Sequence, residues 1–365
     1  MTERGSDEPE EGQEESGRIA ALGLALASGL RDWEKARLVE RAGGPRGVLN
    51  LFAESERRSA LTTARDELEK CKRHGFSVVI RGDSNYPELL EQTYDPPGAL
   101  FAWGTLKTTD GLAIAIVGAR RASPYGAQVA ELLSRQLATR GVTIVSGLAR
   151  GIDAVAHRAA LEAGGRTVAV LGSGLLALYP REHEKLAARI AENGAVLSEH
   201  ALEAAPLPGN FPRRNRILSG LTLGTLVVEA ARGSGSLITA RHAIEQNREV
   251  YAVPGPVGQT ASEGCHDLIQ QGAKLVTCAD DVIAELPPSA RARLMSKPAG
   301  VPEGKALTDH ERRVLERLPR LGACDPDQLA AEGLPVRCVL AALMALELKG
   351  LIRAFPGGSY ARTSD

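Results

Sequence analysis

Apolar and polar positions alternate with two different periods along this chain. Helical spacing runs over 19–30, 33–42, 48–52 and 59–74, with Gly43-Gly44-Pro45 separating the second stretch from the third. From Phe76 the period shortens: 76–81 and 99–103 predict two short strands at the edge of the next unit. Between about 110 and 286, short apolar runs and helix-length segments then take turns. The runs at 112–118, 142–147, 167–172, 195–199, 224–230, 250–253 and 274–278 predict strands. The segments at 124–139, 152–163, 182–193, 212–221, 236–247, 265–271 and 280–286 predict helices. Strands joined by single helices need right-handed crossovers, which predicts an α/β fold: a doubly wound, Rossmann-like parallel sheet with helices on both faces.

The same pattern sets expected boundaries. Residues 1–16 are acidic and poor in apolar groups and are expected to be disordered. Residues 17–75 form a small N-terminal helical module suited to packing or protein contact, and 76–286 the Rossmann-like domain. Residues 287–306 are a Pro/Ala/Gly linker. In 307–365, Thr308 with Glu311 is a capping box, further helices follow at 326–332 and 336–349, and 351–362 is a ribbon with Pro356-Gly-Gly358 at its tip. Three helices and a ribbon predict a C-terminal winged-helix module. Its third helix offers Arg337, Glu347 and Lys349, too few polar groups to read base edges, so it suits docking or weak backbone contact.

Composition adds limits. No apolar run approaches the roughly 20 residues that span a bilayer, and the acidic start carries no signal-peptide pattern, so a cytoplasmic protein with no membrane partner is expected. Five scattered Cys and no metal-ligand spacing argue against disulfides or zinc. The net charge is −1, but the first sixteen residues hold seven acids and one Arg, leaving about +5 for the remainder. Nine Lys stand against 35 Arg, so the positive groups are those suited to bidentate phosphate contact.

In such sheets ligands bind beyond the carboxyl ends of the strands. Those ends carry Gly118-Ala119-Arg120-Arg121, Gly147 and Arg150, and Gly172-Ser173. After the strand at 224–230 come Arg232-Gly-Ser234-Gly235-Ser236, a Gly/Ser turn at a helix start. Upstream lies Phe211 with Arg213, Arg214, Asn215 and Arg216. Close backbone approach, hydroxyls and guanidiniums at several strand ends predict a cradle for a phosphate chain. Arg120 and Arg214 are expected to contact it directly, in one groove shared with the 213–216 guanidiniums. Phe211 is a candidate stacking face. His157, four residues after Asp153, reads as a local hydrogen-bonded pair.

The chain lacks G-x-G-x-x-G after the first strand and lacks G-x-x-x-x-G-K-[ST], which argues against a dinucleotide dehydrogenase and a P-loop hydrolase. No catalytic triad, paired carboxylates, metal or cofactor motif is visible, so binding without turnover is the expectation. Glu199 and Glu229, near strand ends, keep an enzyme reading open. Gly224-Thr225-Leu-Val-Val-Glu229 approaches the element of a nucleoside-monophosphate phosphoribohydrolase (lysine-decarboxylase-like) enzyme, with one extra residue before the Glu and no preceding Pro-Gly-Gly. A winged-helix regulator with a nucleotide sensor is a third reading, disfavoured by the apolar third helix.

The chain resembles the DNA-processing protein A (DprA/Smf) family. The residues carrying the resemblance are Val117-Gly-Ala-Arg-Arg-Ala-Ser-Pro-Tyr-Gly126, Ser146-Gly-Leu-Ala-Arg-Gly-Ile-Asp153 with His157, and Leu171-Gly-Ser-Gly174 before Tyr179-Pro180. Leu197-Ser-Glu199, Phe211-Pro-Arg-Arg-Asn-Arg-Ile217, Gly235-Ser-Leu-Ile-Thr-Ala240 and Val253-Pro-Gly255 extend it. It covers roughly 75–286 and fits the three-part layout. The resemblance implies a homodimer that binds single-stranded DNA, displaces single-strand-binding protein and loads the RecA recombinase during natural transformation. It implies a DNA pocket at Gly118, Ala119 and Arg120 and around Phe211 to Arg216. Ala119 stands where the family usually has Ser, which removes one hydroxyl contact, and the segment from Glu263 to Ile269 also departs from the family pattern.

Overall fold

The computed structural model describes residues 8–295, 308–319, 324–330, 335–348, 351–355 and 358–362. Four helices come first: α1 (Glu8–Leu26), α2 (Asp32–Ala42), α3 (Pro45–Leu49) and α4 (Glu54–His74). The start of α1 corrects the expectation of a disordered 1–16. Its Glu and Gln are good helix formers that continue the apolar-periodic stretch, and acids favour a helix N-terminus. Residues 1–7 lie outside the described residues.

The central elements follow as β1 (Ser77–Ile80), α5 (Glu88–Glu91), β2 (Ala99–Gly104), β3 (Ala113–Val117), α6 (Pro124–Thr139), β4 (Thr143–Ser146) and α7 (Ile152–Glu162). Then come β5 (Thr167–Val170), α8 (Glu184–Asn193), β6 (Ala195–Ser198), α9 (Asn210–Gly220), β7 (Gly224–Val227), α10 (Gly235–Glu245) and β8 (Glu249–Ala252). Last are α11 (Thr260–Gln270), β9 (Lys274–Leu275), α12 (Ala279–Glu285) and α13 (Pro288–Met295). Helix α11 begins five residues before the predicted 265–271. Helix α13 occupies the start of the predicted 287–306 linker, with Pro288 at a helix start, where a missing N–H costs nothing. Its Ala290 is buried with Val282 and Leu286. Residues 296–306 lie outside the described residues.

Nine strands form one sheet in the order β1-β2-β6-β5-β4-β3-β7-β8-β9. Strands β6 to β9 in that order are parallel, while β1 pairs β2 and β2 pairs β6 antiparallel, so the two early strands do form an edge. Successive residues point to opposite faces. Ala113 and Val117 pack with α9, α10 and α11 on one side, and Ile114 and Ile116 with α6 and α7 on the other. Leu22 of α1 and Ala64 and Cys71 of α4 join Phe101, Leu171 and Val196 in a third cluster, so the N-terminal helices share core with the sheet. The chain builds outward from β3 through β4, β5 and β6, then returns to place β7 on the other side of β3. That reversal is the topological switch point, where a crevice opens beyond the strand ends.

The C-terminal segment has α14 (Asp309–Arg317), α15 (Pro326–Ala330), α16 (Val336–Leu348) and an antiparallel ribbon of β10 (Ile352–Ala354) and β11 (Tyr360–Arg362). The capping box is present: Thr308 Oγ1 accepts from the Glu311 N–H, and Glu311 accepts from the Thr308 N–H at 2.7 Å. Lys349 and the ribbon tip at 356–357 lie outside the described residues. No helix among the described residues is long and apolar enough to cross a membrane.

Candidate nucleic-acid interface

A crevice of about 920 Å³ opens at the switch point. Gly118 to Arg121 line it from the end of β3, and Arg232 to Ser236 from the loop after β7. Phe211, Arg214, Asn215 and Leu218 line it from α9. Those four positions recur at helical spacing on one face. Ser234 caps α10, its hydroxyl accepting from the Ser236 N–H, so a positive helix end borders the crevice.

The guanidiniums differ in availability. Arg120 and Arg121 are exposed, and among the described residues neither is in an ion pair. Arg120 lies 5.5 Å over the Phe211 ring, and Tyr179 meets that ring edge-on at 5.8 Å. Arg150, by contrast, is paired with Glu182, and Arg232 with Asp267 at 2.8 Å.

Arg214 is buried, which corrects the expectation of direct contact. It donates to the Gly147 carbonyl at 2.7 Å and to the Val170 carbonyl, tying the ends of β4 and β5 together. Burial pushes its guanidinium down to about 10; Asp153 opposes that shift and Arg120 adds to it. Asp153 accepts from the Gly147 N–H at 3.1 Å and the Ala149 N–H at 3.3 Å, and its burial pushes its carboxyl up. It does not pair with His157, whose Nδ1 bonds Thr167 Oγ1 at 2.7 Å; desolvation holds that imidazole down at about 3. The expected pair fails because Asp153 satisfies the loop preceding α7, while His157 turns toward β5.

Arg213 and Arg216 face away from the crevice, so the expected single groove holding 213–216 with Arg120 is not formed. Three residues apart, they share the opposite face of α9. Arg216 binds Asp32 at 2.8 Å, Glu199 at 2.7 Å and Asp95 at 3.0 Å, and Arg213 binds Asp32 at 2.9 Å. Asp32 ties this face to α2, Glu199 to the end of β6 and Asp95 to the loop before β2. Gly172 packs against the Phe211 ring, and Ser173 is buried with its carbonyl taking the Ser198 hydroxyl at 2.7 Å. Gly147, Arg150, Gly172, Ser173, Arg213 and Arg216 thus lie outside the crevice lining, while the ten other expected residues line it.

Arg232, expected with the Gly/Ser turn after β7, lies on the rim, as does Tyr179, to which the sequence assigned no role in the cradle. Tyr179 lies beyond β5, and nothing in its spacing points to Phe211. The two carboxylates of the enzyme reading are engaged: Glu229 accepts from the Ser123 N–H at 3.2 Å, and Glu199 holds Arg216.

Residues 77–287 match the family model described as DNA recombination-mediator protein A, and 297–358 match a DprA winged helix domain. Protein Smf of Escherichia coli is 48% identical over 289 residues, covering 77% of this chain and 76% of that protein. DNA processing protein DprA of Bacillus subtilis is 44% identical over 217 residues, covering 59% and 73%. The X-ray structure of DNA processing protein A from Streptococcus pneumoniae superposes with a TM-score of 0.65 at 35% identity, covering 74% of this chain and 98% of that one. A Helicobacter pylori DNA processing protein A, solved for its single-stranded DNA binding mode, gives 0.52 at 31% identity, covering 57% and 94%.

Proposed function

The chain belongs to the DNA recombination-mediator protein A family, and from that premise we propose that its switch-point crevice holds single-stranded DNA. The observation that carries this reading is the pair of exposed guanidiniums, Arg120 and Arg121, outside any ion pair among the described residues and set beside the Phe211 ring and the α10 N-terminus. Guanidinium forks and a helix end suit phosphates, and an aromatic face suits an unpaired base of any sequence. The sixteen residues expected from the sequence divide accordingly. Gly118, Ala119, Arg120, Arg121, Phe211, Asn215, Ser234, Gly235 and Ser236 form the contact surface, Arg214 with Gly147 braces it, and Arg150, Gly172, Ser173, Arg213 and Arg216 stand outside it.

The protein's role is to protect incoming single strands and, as a cytoplasmic homodimer, to displace single-strand-binding protein and load RecA during transformation. The site binds without turnover. The two carboxylates in its lining, Glu229 and Asp153, are engaged by backbone N–H groups, Glu229 by that of Ser123 and Asp153 by that of Gly147. The five segments 1–16, 17–75, 76–286, 287–306 and 307–365 remain the working division, with helix at 8–16 and at 288–295 as described above.

The test is a titration of single- and double-stranded oligonucleotides across a salt series. Single-strand preference with steep salt dependence supports the reading. Equal affinity for duplex, or release of free base from a nucleoside monophosphate, favours the phosphoribohydrolase reading or another function.

A further inference from the structure

Helix α2 and the loop before β2 bring a second group of rings and guanidiniums to the surface. The Trp33 and Tyr94 rings lie 5.9 Å apart, tilted by 32°. Tyr94 is 73% exposed, unusual for a large ring with no apolar cover. Arg31 and Arg37 each lie over the Trp33 ring, at 5.3 and 5.4 Å. Both guanidiniums are solvent-exposed; Glu34 is 3.7 Å from Arg31, and Arg37 is in no ion pair among the described residues. Two rings flanked by two exposed guanidiniums have the composition of a single-strand platform, a π-face for a base and forks for the phosphates on either side.

This platform is built onto the helix that lines the crevice. The Trp33 N–H donates to Asp95 Oδ1 at 2.8 Å, and the other oxygen of Asp95 takes Arg216 Nε at 3.0 Å. Asp32, next to Trp33, binds Arg213 and Arg216. The rings therefore stand on the carboxylate–guanidinium cluster that occupies one face of α9, while Phe211 and Arg214 on the other face line the crevice. Half-exposed Arg213 lies between them in the chain, two residues from Phe211.

We propose that Trp33, Tyr94, Arg31 and Arg37 form a second contact for single-stranded nucleic acid, engaged by a strand long enough to run on from the crevice. A base stacks on the outer face of Tyr94, and Arg31 and Arg37 take the adjacent phosphates. The proposal rests on the single-strand reading of the crevice and extends the track onto α2.

The experiment compares full-length wild type, Tyr94→Ala and Arg37→Ala on labelled oligothymidylates of roughly 6 and roughly 20 nucleotides, the shorter sized for one site. A Trp103→Phe background makes Trp33 the one fluorophore of its kind, since the chain has two Trp. Tyr94 and Arg37 are exposed, so circular dichroism melting should match wild type in both variants. The expected result is about tenfold weaker binding of the long strand by either variant, unchanged binding of the short one, and quenching of Trp33 by the long strand only. Wild-type affinity for the long strand in both variants, with Trp33 emission unchanged at saturation, overturns the platform and leaves the crevice reading intact. Failure of wild type to bind either strand overturns both.

Discussion

Arg214 donates to the Gly147 carbonyl at 2.7 Å from a buried position in the crevice wall. Through Gly147 it is coupled to Asp153, which accepts the Gly147 N–H. An Arg in the middle of an Arg-rich motif is thus a strut for the ends of β4 and β5. Removing one member of a buried charged set leaves the others uncompensated. Arg214→Ala is expected to lower unfolding free energy by about 3 kcal/mol or more, read by urea denaturation. Wild-type stability in that variant would refute the strut.

The same geometry makes Gly147 sensitive to a single methyl. A Cβ there would stand 2.4 Å from the Arg214 guanidinium, below any normal contact. Gly147→Ala is expected to cost about 1–3 kcal/mol in the same assay. At Gly235, where an added Cβ meets open space, the matching substitution should be close to neutral.

Asp32 is shared by Arg213 and Arg216 and also lies 3.8 Å from the buried Lys35. Burial pushes the Lys35 ammonium down while Asp32 supports its charge. Asp32→Ala should therefore destabilise the contact between α2 and α9 by about 3 kcal/mol. Limited proteolysis should then cut the α1–α4 segment before the sheet; equal resistance in variant and wild type would count against the cluster as a fastener.

Acid should weaken the fold through His157. Its folded value of about 3 lies below the unfolded 6.5, so the unfolded chain binds the proton more readily. The contribution is complete above pH 6.5 and is lost progressively as pH falls from 6.5 toward 3. Asp153 acts in the opposite sense, its carboxyl being raised, and does so in wild type and variant alike. Wild type should lose more stability on acidification than His157→Asn; parallel curves would exclude a buried neutral imidazole.

The sheet was legible because each strand is a compact apolar run between Gly-containing turns, as at Ala113–Val117 followed by Gly118. The rim was legible for the same reason. Side-chain direction was harder. Arg213, Arg214 and Arg216 read as one cluster, yet a 3.6-residue period places 213 and 216 on one face and 214 with Phe211 on another. That separation was available in the spacing. The partners Asp32 and Asp95, more than a hundred residues upstream, were not, because no local pattern links them to α9. The helix at 8–16 was hidden by its charge, since acids that discourage a core also favour a helix N-terminus.

The most direct test of the account uses one labelled oligothymidylate and three proteins: wild type, Arg120→Ala and Arg150→Ala. Anisotropy titrations over a salt series, with melting temperatures in parallel, separate an exposed, unpaired guanidinium from one neutralised by Glu182. The account predicts that Arg120→Ala binds about tenfold or more weakly, with a salt slope shallower by about one, while Arg150→Ala stays within about twofold of wild type. Wild-type affinity and slope in a folded Arg120→Ala would contradict it.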